Sequence, residues 1–195
     1  MNRKMFLLTT FFILFFFTES LSLPMRLISS DTCMGTVQLE CMDTVRIGSD
    51  LPSYRLHFIC RDECYSCDVY LGNAKDALQH FEQANVESPR DPDEIRFEDA
   101  NFDGYIDILI LSNRGNTTNV DFDFWLFDPT SQRFKFSDEY STKVACNPAF
   151  DPEKREIVAG GAAGCVGMCF EFQTFRLQND SLVLVKHFTQ RMQTD

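Results

Sequence analysis

The chain is 195 residues long, 44% hydrophobic, rich in phenylalanine (20 residues) and acidic, with a formal net charge of −11. That balance disfavours nucleic acid and anionic membranes as partners; a basic protein or bound cations are its natural complements. Beyond the amino terminus no segment is apolar for long enough to span a bilayer, so no membrane anchor is expected.

Arg3 and Lys4, followed by the apolar run 6–17, form the basic and hydrophobic regions of an export signal that is too short for a membrane span. Ser20 and Ser22 supply the small residues of a cleavage site after Ser22, and no cysteine stands at the junction to carry a lipid. Residues 23–195 then make a single β domain, expected to be secreted or periplasmic. Removing 1–22 takes away two cationic residues and one anionic one, so the formal charge moves from −11 to about −12.

Strand signals recur along this domain with turn chemistry between them. Residues 36–47 alternate loosely and 54–60 more strictly, and 68–71 lead through the turn 72–76 into 77–83. The helical spacing of Ala77, Leu78 and Phe81 competes there with a hairpin turn, and the turn favours a strand. A charged, proline-containing link, 87–94, precedes 95–98. Residues 106–111 are apolar on both faces, the pattern of a central strand. Phe122, Phe124 and Leu126 alternate up to Asp128-Pro129, and 133–136 return antiparallel. A last hairpin, 170–177 and 182–188, turns at Asn179-Asp180. These short strands predict an all-β fold, mostly antiparallel, built as a sandwich or a strongly bent sheet.

All eight cysteines (Cys33, Cys41, Cys60, Cys64, Cys67, Cys146, Cys165 and Cys169) lie in the mature part. An even count in an exported chain reads as a disulfide-braced domain with open connectivity, ahead of a zinc site or a redox-active Cys64–Cys67 pair. The sequons at Asn116 and Asn179 matter only in a eukaryotic source.

Residues 99–107 read D-A-N-F-D-G-Y-I-D. Oxygen-bearing side chains fall at Asp99, Asn101 and Asp103, Gly104 permits a sharp turn, and the Tyr105 carbonyl and Asp107 complete the set. Such spacing turns oxygens onto one point and suits a hard cation, calcium above all. Ile110 stands where a helical EF-hand would need glutamate, and the alternation after Gly104 is that of a strand, so this is a calcium loop in a β setting. It is similar to the calcium loops of the FG-GAP and integrin-propeller type.

Four pieces occur in order: the loop 99–107, W-L-F-D-P at 125–129, N-P-A-F-D at 147–151 and G-G-A-A-G at 160–164. Together they resemble a family of exported, mostly bacterial β-domain proteins, with 95–195 the best-matched half. The resemblance implies an all-β fold, a calcium-type loop and, in some members, a periplasmic inhibitor or immunity role against lysozyme-like cell-wall enzymes. The high cysteine count and the divergent half before residue 90 depart from it.

The histidines, His57, His80 and His187, are scattered, and no nucleophile motif occurs, so the chain reads as a binding protein. The function expected is a secreted calcium-binding β-domain that binds a protein, a basic lysozyme-like hydrolase being the implied target. The alternative is an exported glycan hydrolase with structural calcium. The run Gly160, Gly161, Ala162, Ala163 and Gly164 reads either as a glycine-rich bend between strands or as a backbone-rich loop able to enter a narrow cleft, and Trp125 and Phe127 either as core residues or as a second contact patch.

Overall fold

The computed structural model describes residues 35–115, 119–164 and 168–191. The export signal, Cys33, Cys165 and the Asn116 sequon lie outside them. Among the described residues no helix is long and apolar enough to cross a membrane.

The fold is all-β, as expected, and among the described residues twelve strands form three four-stranded antiparallel sheets. The first sheet runs in order β1 (Val37–Arg46), β2 (Ser53–Arg61), β3 (Cys64–Leu71) and β4 (Gln79–Ala84). The second is equally sequential: β5 (Ile95–Glu98), β6 (Asp107–Arg114), β7 (Val120–Asp128) and β8 (Arg133–Phe136). A short helix, α1 (Asp138–Lys143), follows, capped by the Ser137 side chain. The third sheet has the order β12-β11-β10-β9, from β9 (Ala149–Asp151), β10 (Glu156–Ala162), β11 (Cys169–Gln178) and β12 (Ser181–Arg191). Asn179 and Asp180, with φ of 49° and 59°, make the two-residue turn between β11 and β12.

Side-chain alternation decides the layering. Ile108 and Ile110 of β6 enter a core shared with the first sheet, where they meet Tyr54, Leu56, Phe58 and Val69. Leu109 and Leu111 enter a second core with Ile157, Phe175, Leu182 and the helix residue Tyr140. β7 divides the same way, Phe122 and Phe124 to one side, Trp125 and Phe127 to the other. The sandwich is therefore three layers deep, with β5–β8 in the middle.

Trp125 is a core residue, not a surface patch. It stacks on Phe81 at 4.0 Å between ring centroids, and its Nε1–H donates to Tyr65 Oη at 2.9 Å. Strand β7 has no solvent side at this point, so a large aromatic here must be covered. The Tyr65 hydroxyl in turn donates to Asp123 Oδ2 at 2.8 Å, joining the first sheet to the middle one.

Bracing by four disulfides is not what the described residues show. Cys64 and Cys169 each take part in a disulfide, whereas Cys41, Cys60, Cys67 and Cys146 are free thiols. The register explains three of these: Cys41 and Cys67 both pair with Phe58, one on each side, and Cys60 lies opposite Leu39 and Tyr65. Burial raises all four thiols, Cys41 and Cys146 to about 11, which leaves them protonated and unreactive.

The Tyr65 hydroxyl yields a measurable prediction. Burial raises the Asp123 carboxyl, while the Tyr65 and Ser112 hydrogen bonds act the other way. Because its folded value lies above the unfolded one, its contribution is full at low pH and is lost as pH rises through the folded value. Tyr65→Phe removes a donor that matters most to the charged form. Urea unfolding is expected to show a loss of about 1–3 kcal/mol at neutral pH and a smaller loss near pH 3. Equal losses at the two pH values would contradict this account.

Candidate functional site

Two features qualify, the acidic loop and a cleft. The loop joins β5 to β6, and its side chains organise its own backbone. Asp99 accepts from Asp103 N and Gly104 N, both at 3.0 Å, and Asp103 Oδ1 accepts from Tyr105 N at 2.9 Å. Asn101 Oδ1 accepts from Asp103 N at 3.1 Å, while its Nδ2 donates to Asp103 Oδ2 at 2.9 Å. Phe102 and Gly104 take positive φ, 58° and 90°, and coil the chain tightly enough for these contacts. Burial raises the Asp99 carboxyl, and the nearby Asp103 charge adds to the effect.

Asp107 plays a different part from its loop neighbours. It is fully buried as the first residue of β6, and both oxygens are engaged by backbone: Oδ2 accepts from Ala100 N at 2.9 Å, Oδ1 from Phe127 N at 2.7 Å. Burial pushes its carboxyl up to about 7 although those two N–H groups favour the charge. It therefore ties the loop to β7. The oxygen-bearing side chains that these bonds draw together are the two carboxylates, Asp99 and Asp103, and the Asn101 amide. Among the described residues no group of three or more His, Cys, Asp or Glu side chains could hold a metal. Asp99, Asn101 and Asp103 nonetheless fit a hard oxygen-seeking cation, the Asn101 amide supplying the positive edge beside Asp103 when none is bound.

The glycine-rich run is not a free loop. Gly160, Gly161 and Ala162 lie in β10; Ala163 and Gly164 follow it, and Ala163 N donates to Cys169 O at 2.8 Å. β9 pairs only with Glu156, Ile157 and Val158, so the outer edge of β10 lacks a strand beyond that point. Two asparagines stand in for it. Asn119 accepts from Ala162 N and donates to Ala162 O, each at 2.9 Å, and Asn147 Nδ2 donates to Gly160 O at 3.3 Å. A Cβ on Gly161 would lie 2.2 Å from Asn119 Oδ1, and one on Gly160 2.1 Å from the Glu171 carbonyl oxygen. Glycine is required because side-chain amides and a neighbouring strand approach this closely.

That strand edge lines a cleft of about 600 Å³ between the third sheet, β7 and the end of α1. Asp121, Cys146, Glu171 and Gln173 share the lining with the glycines and with Lys143. Lys143 is already held by Glu139 at 2.7 Å and by Leu182 O at 3.1 Å, so the cleft's carboxylates are not neutralised by it. Glu171 contacts His187 Nε2 at 2.7 Å. The other two histidines lie on the first sheet, His57 against Glu40 and His80 against Asp68. Sequence reasoning picked out the run 160–163 and, only as a disulfide candidate, Cys146; the other cleft residues come from separate segments with no shared spacing. The chain matches no protein-family model, no curated protein and no solved structure.

The anchoring role of Asp107 is testable without any metal. Asp107→Ala leaves two buried N–H groups unpaired and is expected to cost roughly 2–5 kcal/mol in denaturant unfolding with chelator present. A loss below about 1 kcal/mol would mean that the tie to Phe127 is unimportant.

Proposed function

We propose that this is an exported β-domain, stiffened by calcium at the 99–105 loop, that acts by binding a basic protein through the cleft beside β10. The cleft carries the reading: a concave surface with a backbone-rich floor and two carboxylates, Asp121 and Glu171, on a chain of net charge −11. A lysozyme-like cell-wall hydrolase is the partner that the sequence resemblance suggests, with inhibition as the outcome. The second reading, an exported glycan hydrolase, draws on the same two carboxylates sharing one cleft.

One experiment separates them. Purified protein is incubated with lysozymes and with peptidoglycan alone. Inhibition of lysozyme is expected, weakened roughly tenfold or more by Asp121→Asn with Glu171→Gln, since charge pairs at an interface each contribute on the order of 1 kcal/mol or more. Peptidoglycan turnover without added lysozyme would transfer the chain to the hydrolases. Neither inhibition nor turnover would remove both readings.

Calcium is tested separately. Asp99, Asn101, Asp103 and the Tyr105 carbonyl are its proposed ligands, with Asp107 holding the loop in place. Ligand binding to the folded state alone stabilises it by about 2.7 kcal/mol at a hundredfold excess over Kd. The melting temperature is expected to rise with free calcium, and Asp103→Ala to abolish that rise. Identical melting temperatures in calcium and in chelator would end the proposal.

A further inference from the structure

β12 is unlike the other strands. It is the outermost strand of the third sheet, eleven residues long, and only Leu182 in it is buried. Val183, Leu184, Val185 and Phe188 are 40, 49, 40 and 39% exposed. Phe188 extends a row of rings across the hairpin: its centroid lies 5.2 Å from that of Phe172, which lies 6.4 Å from that of Phe170. Edge strands are usually kept short, bulged or charged to prevent pairing with other chains. A bulge does interrupt β12 near Val185, between the pairs Thr174–Lys186 and Phe175–Leu184. From Lys186 to Arg191 the pairing with β11 is regular again, and the outer edge of that stretch has no strand beside it among the described residues.

The charge of this strip is opposite to that of the chain. Residues 181–191 contain Lys186, His187 and Arg191 and no acidic residue, against a total of −11. His187 is engaged by Glu171, but neither Lys186 nor Arg191 has a carboxylate within 4.0 Å among the described residues. The Lys186 ammonium lies instead 5.1 Å from the centre of the Phe188 ring. A second copy of β12 is a poor occupant, because a two-fold pairing brings basic strand against basic strand with no acidic group between them.

We propose that the outer edge of β12 binds an extended acidic polypeptide segment as an added antiparallel strand. Main-chain hydrogen bonds to the free edge supply the pairing, and side chains set the preference. Carboxylates sit opposite Lys186 and Arg191, and an apolar residue sits opposite Phe188. This edge lies on the side of β11 away from β10 and adjoins the cleft at the Glu171–His187 contact.

The probe is the capped peptide Glu-Thr-Thr-Val-Thr-Glu-Thr-Val, whose two glutamates fall opposite Arg191 and Lys186 in antiparallel register and whose first valine falls opposite Phe188. Its binding to the full chain is followed by fluorescence anisotropy beside a version with lysine for each glutamate. The acidic peptide is expected to bind, with affinity falling as salt is raised, and the basic one to bind roughly tenfold more weakly or not at all. The double variant Lys186→Glu with Arg191→Glu, at two exposed positions, is expected to keep its melting temperature and to reverse the preference. Equal binding of the two peptides, no binding of either, or an unchanged preference in the double variant would overturn the proposal. Concentration-dependent dimerisation in sedimentation, lost in the double variant, would overturn it in favour of a second copy of the chain.

Discussion

The arrangement depends on one strand that has no solvent side. Ile108 and Ile110 of β6 fill one core while Leu109 and Leu111 fill the other, so the middle sheet must be covered on both faces. Each such side chain stabilises the fold by about 1.5–3 kcal/mol when fully buried, and the four lie consecutively. A polar residue anywhere in that run would face a packed core. The acidic loop inherits its position from this constraint. Asp107 opens β6 and is buried with it, and the only way to keep a carboxylate there is to satisfy both oxygens. The N–H groups of Ala100 and Phe127 do so, and in doing so they fix the loop against β7.

The cleft has a comparable origin in an incomplete sheet. β9 is three residues long, so the second half of β10 has no strand on one side, and Gly160 N donates instead to Cys146 O at 2.8 Å. An exposed ladder edge would be a site for uncontrolled pairing, and the asparagines at 119 and 147 close it with side-chain amides that mimic a strand. Amides reach the backbone only if no Cβ stands between, which accounts for Gly161, and Gly160 takes a φ of 137° against β11. The result is a floor of bare backbone with polar walls. At the opposite end of the same sheet Glu139 and Lys143 close the edge of β12 only at Leu182, and among the described residues no side chain plays that part along 186–191.

Much of the fold was legible in the sequence because the relevant signals are local. Alternation located β1, β2, β6 and β7 within a few residues, the turn after Asp128-Pro129 located β8, the two-sided apolar run marked β6 as central, and Asn179-Asp180 marked the last turn. What was missed has physical reasons. β10 reads as a loop because its glycines answer a contact with Asn119 and Asn147, residues distant in sequence. Trp125 could be read as core or contact from its strand alone, and the layer packed on β7 decides for the core. The cysteine pattern suggested general bracing, but whether two thiols can meet is set by register, and Phe58 stands between Cys41 and Cys67. Helix α1 carried a signal, a serine before Asp138-Glu139 with Lys143 in the last turn, that was overlooked among the strands.

The same geometry bears on what a cation could do in the loop. Conformational coupling requires a ligand to distinguish two arrangements of the protein. The ends of this loop are fixed before any ion arrives, at Asp107 by two backbone hydrogen bonds and at Asp99 by contacts with Asp103 and Gly104. An ion among Asp99, Asn101 and Asp103 would relieve the repulsion between two nearby carboxylates without displacing β5 or β6. Its free energy would therefore appear in stability and not in a change of shape at the cleft. In a β setting, with the ninth residue of the motif spent on holding the strand, the calcium proposed for this loop would act as a pin, and the recognition proposed for the protein would fall to the third sheet.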